Sequence, residues 1–283
     1  MAVIIDFHTH IFSPRMKAER ESLCQRDAPF AMLYADPRAG MATADELIAS
    51  MDKSEIARSV VLGFCWSTSE LCIEHNSYIL DSVARYPGRL IGFCTVPFKP
   101  LEPAIKEIER CALAGASGIG ELRPDTPLFD FTDKQVAAPL VATLKQHGLI
   151  LLTHASEPVG HQYPGKGGAA PEKLYPFITS YPDLTIVCAH WGGGLPFYAL
   201  MPEVKKALQN VYFDTAASPF LYSPQIYLQV TDIIGANRIL FGTDYPLLSP
   251  SRVLKEIQQL NLPEVSRDLI LSGNARRILN MEE

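Results

Sequence analysis

Short apolar runs rich in β-branched residues alternate along this chain with longer segments whose apolar positions recur at helical spacing. The short runs predict strands at 3–8, 59–65, 90–96, 117–121, 149–154, 185–190, 211–214 and 238–242. The longer segments predict helices at 43–53, 71–86, 103–114, 133–147, 172–180, 195–208, 224–234 and 251–260. Tyr86-Pro87-Gly88, His147-Gly148 and Tyr181-Pro182 punctuate three of the helix ends. Strand–helix alternation at this spacing argues for parallel βαβ units with the helices outside, and eight strands are what a closed (β/α)8 TIM-like barrel needs. No composition shift or low-complexity linker interrupts the pattern, so one domain over residues 1–283 is expected. A doubly wound open sheet would want a glycine-rich turn after its first strand, and Thr9-His10-Ile11-Phe12 is not one.

The polar residues that close these runs carry the chemistry. His8 and His10 end the first strand two residues apart, so they point the same way where the strand opens into a loop. Glu121 ends the fourth run, His154 the fifth and His190 the sixth, while Asp244 follows the eighth. In a parallel barrel all of these lie at the C-terminal mouth, where loops build the site. Imidazoles and carboxylates together suit a divalent metal, most naturally zinc, with one position left open for water or substrate. A single buried histidine is ordinary, but two at period two, with His154, His190 and Asp244 also ending apolar runs, are hard to assign to packing.

The segments Asp6–His10 (D-F-H-T-H), Leu152–His154 (L-T-H), Cys188–Gly193 (C-A-H-W-G-G) and Phe241–Pro246 (F-G-T-D-Y-P) resemble the amidohydrolase superfamily, in its amidohydrolase-related, aminocarboxymuconate-semialdehyde decarboxylase-like branch. The resemblance runs to the closing G-N-A-R-R-I-L at Gly273–Leu279. It implies a (β/α)8 barrel with one divalent metal, commonly zinc, held by His8, His10, His154 and Asp244, with His190 orienting or activating water. The branch contains decarboxylases, lactonases, hydratases and hydrolases, so it defines the metal site better than the reaction. The run Gly118–Leu122 also resembles the fourth strand of TatD-type metal-dependent deoxyribonucleases, which implies that Glu121 helps bind a second metal; a glutamate orienting water or accepting a bond from substrate is the alternative.

The leading expectation is a metal-dependent hydrolase acting on a small carboxylated metabolite. A metal-bound water is acidified to a pKa of about 7; Asp244 would accept its proton and His190 would stabilise the developing oxyanion. Arg123 lies two residues beyond Glu121, and its planar fork suits a substrate carboxylate. Trp66, Trp191 and Tyr245 follow strands two, six and eight and are expected to wall the substrate pocket, with rim packing as the competing role. Decarboxylation or hydration within the same branch, a TatD- or PHP-like phosphoesterase, and a non-catalytic metal-binding barrel are the alternatives. Asp6 either anchors a ligand histidine or makes a structural hydrogen bond. His75 and His147 fall in or at the end of helical segments, where a solvent-facing side chain suffices. Residues 13–41 and 157–170 are expected to be loops over the active face.

The chain's 283 residues, 47% of them hydrophobic, suffice for one large core. A net charge of −6 provides no electrostatic footprint for nucleic acid or an anionic membrane. The six cysteines include no C-x-x-C pair and read as reduced thiols of a cytoplasmic protein. The first apolar run is broken at Asp6 and His8 and lacks a basic flank, so it reads as neither signal peptide nor anchor. A small-molecule substrate is expected, with no nucleic-acid or membrane partner, and a homodimer in which the segment 13–41 bridges subunits.

Overall fold

The structure is a computed structural model that describes residues 3–97, 99–126 and 130–281. Its centre is one parallel sheet in the order β1-β2-β3-β4-β5-β6-β7-β8. The strands are β1 (Ile5–His10), β2 (Arg58–Leu62), β3 (Leu90–Cys94), β4 (Gly118–Leu122), β5 (Ile150–Thr153), β6 (Ile186–Cys188), β7 (Val211–Asp214) and β8 (Ile239–Leu240). All eight expected strands are present, most of them shorter at the ends. The Phe7 amide donates to the Phe241 carbonyl at 2.7 Å and the Asp244 amide to the His8 carbonyl at 2.9 Å, so the exit of β8 is sewn to β1 and the sheet closes. This is the (β/α)8 barrel that the alternation predicts.

The barrel interior is filled by alternate side chains of its strands, among them Phe7, Leu62, Phe93, Leu152, Val187 and Leu240, all essentially free of solvent. The fourth strand contributes glycine instead: a Cβ on Gly118 would stand 2.4 Å from the Phe93 ring. The missing side chain there leaves room for the Phe93 ring of the neighbouring strand.

Three short helices, α1 (Pro14–Ala18), α2 (Arg20–Arg26) and α3 (Ala28–Tyr34), occupy the segment expected to be a loop. The signals are local: Ser13 and Asp27 cap α1 and α3, and prolines stand in the first turn of both. Asp27 does more than cap. One carboxylate oxygen accepts from the Phe30 amide at 2.8 Å, and the other accepts from the Ser67 amide at 2.7 Å and the Ser67 hydroxyl at 2.6 Å. It thereby ties the insertion to the loop after β2. Phe30 stacks on Trp66 with centroids 5.0 Å apart, and Phe12, Phe64 and Tyr34 complete an aromatic cluster beside the barrel mouth.

The main outer helices are α4 (Ala44–Lys53), α5 (Ser69–Arg85), α6 (Leu101–Leu113), α7 (Lys134–Gln146) and α8 (Pro171–Ser180). α4 starts with a capping box in which Thr43 and Glu46 satisfy each other's backbone amides. The six cysteines are free thiols, and no helix among the described residues is long and apolar enough to cross a membrane.

Candidate active site

Six side chains converge at the C-terminal mouth of the barrel, each from the end of a different strand or the first residues beyond it, apart from the two histidines that share β1. His8 Nε2 and His10 Nε2 stand 3.1 Å apart. Asp244 Oδ1 lies 3.6 Å from the first and 3.5 Å from the second, and Glu121 Oε2 lies 3.7 and 3.6 Å from them. The other oxygen of Glu121 meets His154 Nδ1 at 2.7 Å and His190 Nε2 at 3.4 Å. One carboxylate thus spans two pairs of imidazoles. His8, His10, Glu121, His154, His190 and Asp244 form overlapping sets whose ligand atoms lie within 4.8 Å of one another.

Asp214 supports this cluster, although nothing in the sequence reading assigned it a role. Its Oδ2 receives His8 Nδ1 at 2.8 Å, and its Oδ1 accepts the His190 amide at 2.9 Å and the Ala216 amide at 3.0 Å. The signal was present: an aspartate closes the apolar run Val-Tyr-Phe of β7 as the recognised ligands close theirs. Asp6 takes the structural role. It accepts from the Thr243 amide at 3.0 Å and the Thr243 hydroxyl at 2.6 Å, locking β1 to the turn that presents Asp244. Burial lifts its carboxyl to about 7 against the pull of those hydrogen bonds.

Two site residues sit on left-handed backbone, His190 at φ 54° and Asp244 at φ 65°. For residues with a Cβ this costs on the order of 1–3 kcal/mol and persists only where the surroundings enforce it. Asp214 enforces the first through the His190 amide, and the His8 carbonyl enforces the second through the Asp244 amide. Gly193, three residues after His190, carries the same turn onward, and a Cβ there would stand 2.4 Å from the Ser156 carbonyl.

The donor set fits a divalent cation. With its Nδ1 proton given to Asp214, neutral His8 presents a lone pair on Nε2. The facing His10 nitrogen and two carboxylate oxygens add further acceptors within 3.1–3.7 Å, a concentration of lone pairs that a cation reconciles. In the protein alone a proton takes part of that role. Burial opposes charge on His8, yet Asp214, Glu121 and Asp244 lift it to about 10. His190 rises to about 9: burial opposes its charge too, while the Glu121 hydrogen bond and Asp244 favour it. Burial pulls His10 down, with His8 adding to the effect, and His154 falls to about 4 under burial and the nearby Arg123 charge. Glu121 is held well below the usual carboxylate range, its burial outweighed by the imidazoles led by His154.

The expected substrate contacts are placed differently. Arg123 is buried, and its Nη2 donates to Asp125 at 3.0 Å and to the Gly165 carbonyl at 2.7 Å, which braces the loop after β5, while its Nε has no hydrogen-bond partner among the described residues. Trp66 and Trp191 do not wall an open pocket: neither has any exposed surface. The Trp66 indole donates to His75 at 3.0 Å, and that of Trp191 donates to the Ser218 hydroxyl. Rim packing claims both because the aromatic insertion and the segment 218–227 cover them. Tyr245 is half-buried and donates to the Glu46 carbonyl at 3.2 Å, likewise in packing. His75 is fully buried rather than solvent-facing; its Nδ1 accepts from Trp66 and the Phe64 amide, so its Nε2 donates to the Ile11 carbonyl at 2.7 Å.

Tyr34, on α3, lies in the segment 13–41 that was expected to form a loop over the active face. Its hydroxyl is pushed above the usual phenol range by burial, with Asp244 and Glu121 adding to the effect. On the other flank a cavity of about 340 Å³ is lined by Glu157, His161, Tyr163, Gly193, Phe197 and Tyr222.

A parallel barrel with imidazoles and carboxylates gathered at its C-terminal mouth defines a metal-dependent barrel enzyme. The amidohydrolase family model matches residues 5–281, and the chain belongs to that family. The relatives it resembles fall in the aminocarboxymuconate-semialdehyde decarboxylase-like branch. It is 24% identical over 249 residues to a gamma-resorcylate decarboxylase of Polaromonas sp. (strain JS666 / ATCC BAA-500), covering 73% of this chain and 75% of that one. It is 23% identical over 266 residues to the 2-amino-3-carboxymuconate-6-semialdehyde decarboxylase of Dictyostelium discoideum, covering 79% and 71%. Among solved structures, the 5-carboxyvanillate decarboxylase of Novosphingobium aromaticivorans, complexed with manganese and 4-hydroxy-3-methoxy-5-nitrobenzoic acid, superposes with a TM-score of 0.77 at 17% identity over 99% of this chain and 96% of that one.

Proposed function

We propose that this protein is a divalent-metal-dependent decarboxylase, a carbon–carbon lyase acting on a small carboxylated aromatic or conjugated acid. The observation that carries the reading is the cluster itself: His8, His10, Asp244 and Glu121 Oε2 around one point, with His154 on the far side of the same glutamate. Those residues would hold the ion, and manganese rather than zinc is the ion recorded in the structural neighbour. When bound, the ion supplies positive charge that anchors an anionic substrate and stabilises the electron pair released on decarboxylation. The carboxylate carbon leaves as carbon dioxide, the bonding pair stays on the substrate carbon, and a proton must be delivered there.

Asp244 is placed for that delivery. Its side chain retains 16% exposure at the open side of the cluster while reaching both β1 histidines. His190 is the second group able to hold a proton, with its Nδ1 facing the Ala216 carbonyl at 3.1 Å and its Nε2 toward Glu121. Tyr34 and the aromatic insertion exclude water from one side of the site.

The test is direct. Manganese-loaded protein should release carbon dioxide from a panel including 2,6-dihydroxybenzoate and 5-carboxyvanillate, and metal-stripped protein should not. A loaded protein inert to every aromatic and conjugated acid in the panel removes the reading. Hydrolysis through an activated water is the second reading, and Glu121 favours it: a carboxylate facing two imidazole pairs leaves a place for a second cation against His154 and His190. Turnover of lactones or amides with two ions bound per chain would select it.

A further inference from the structure

Two loops leave the metal cluster, one after His154 and one after His190, and they meet again to enclose a cavity. Glu157 stands three residues beyond His154 and Gly193 three beyond His190, and both line the cavity of about 340 Å³, a size ordinary for a small-ligand pocket. The loops touch closely there. A Cβ on Gly193 would stand 2.4 Å from the carbonyl of Ser156, and the Ser156 Oγ lies 3.0 Å from His154 Nε2. Three residues of chain reach at most about 11 Å, so the cavity lies within the span of one small ligand anchored at the cluster.

The β5-side wall is held in place before any ligand arrives. Arg123 donates to the Gly165 carbonyl at 2.7 Å, and Asp125, paired with Arg123 at 3.0 Å, accepts the Gly168 amide at 3.2 Å. Lys166 closes the loop on itself, its Nζ donating to the Val159 carbonyl at 2.6 Å and the His161 carbonyl at 2.9 Å. A wall fixed in this way need not be ordered on binding.

The lining combines aromatic rings with one carboxylate. Phe197, Tyr163 and Tyr222 offer flat surfaces suited to a ring or a conjugated chain. Glu157 Oε2 accepts the Tyr163 hydroxyl at 3.0 Å, whereas Oε1 is enclosed and has no hydrogen-bond partner among the described residues. An enclosed carboxylate oxygen without a donor is costly, and a ligand that brings a donor relieves that cost. Lys166 is committed to the two loop carbonyls and does not fill the role. A ligand carboxylate seated here would meet like charge instead.

We infer that this cavity is the distal substrate subsite and that Glu157 selects there for a hydrogen-bond donor, an ammonium or a hydroxyl, and against a second carboxylate. The inference rests on the metal-site reading above, with the reacting carboxylate at the cluster, and narrows its substrate class to aromatic or conjugated acids extended by a donor-bearing substituent.

The experiment measures the affinity of manganese-loaded protein for four probes that differ only at the far end: 4-(aminomethyl)-, 4-(hydroxymethyl)-, 4-ethyl- and 4-(carboxymethyl)cinnamate. Wild type should bind the aminomethyl and hydroxymethyl probes roughly 10–100-fold more tightly than the ethyl probe, with the carboxymethyl probe weakest. Glu157→Leu should erase that order while keeping the ethyl probe, and Glu157→Gln should keep the hydroxymethyl preference but lose any added advantage of the ammonium. Gln162→Ala, exposed and outside the lining, should match wild type. Stripping the metal should weaken all four probes alike, because it removes the anchor they share. Equal wild-type affinity for the aminomethyl and ethyl probes, a preference that survives Glu157→Leu, affinities indifferent to metal, or no binding of any probe overturns the subsite. Manganese uptake, titrated separately, tells that failure from failure of the metal site itself. If Glu157→Leu does not fold, Glu157→Gln decides.

Discussion

His8 Nδ1 and Asp214 Oδ2 lie 2.8 Å apart with neither side chain exposed to solvent. The aspartate orients a histidine of β1 from β7, on the opposite side of the seam that closes the barrel, and its second oxygen holds the His190 amide. Removing one partner of a buried pair leaves the other uncompensated, so Asp214→Ala should cost about 3–5 kcal/mol in urea unfolding of the metal-free protein. A loss under about 1 kcal/mol, the range of an exposed pair, would mean the contact is not a structural anchor.

The proposed function gives Asp244 both the ion and the proton, and the two roles separate on substitution. Asp244→Asn keeps an oxygen ligand but cannot shuttle a proton, so kcat should fall by roughly 10²–10⁴ while most of the bound metal is retained. Elemental analysis beside steady-state kinetics checks it. Equal losses of metal and turnover would reduce Asp244 to a ligand.

The aromatic insertion should behave as core. Phe30 is wholly buried, caught between Trp66 and the Asp27 cap, so Phe30→Ala should destabilise by about 3–5 kcal/mol. A surface loop would tolerate the change within about 0.5 kcal/mol, and thermal or urea unfolding distinguishes the two.

His75 links stability to pH. Burial, with His10 adding to it, lowers the imidazole from its ordinary 6.5 to about 4 in the folded chain. A depressed folded value means the neutral form is favoured by folding, so its contribution is complete above 6.5 and is lost as pH falls through about 4. The fall in unfolding temperature between those values should be shallower in His75→Gln than in wild type. Parallel curves would show that His75 does not titrate in that window.

Much of the barrel could be read from the chain because parallel strands buried on both faces leave continuous apolar runs, and all eight were found that way. The candidate metal ligands were readable for a related reason: a charged or imidazole side chain at the end of an apolar run stands out where packing alone would favour an apolar one. Helices α1–α3 were missed because each is short, and their caps at Ser13 and Asp27 are weaker signals than a long amphipathic period. Trp66 and Trp191 were expected to wall the pocket from their position after strands, yet position along a strand does not reveal what later folds over it. Asp214 escaped because its role exists only once β1 brings the His8 imidazole against it.

If residues of the barrel mouth share a divalent cation, calorimetric titration of metal-stripped protein with manganese will show it. Saturable binding of at least one ion per chain, abolished when His8 and His10 are both replaced by alanine, is the expected result. A folded wild-type protein that takes up no manganese, zinc or other divalent ion would contradict it.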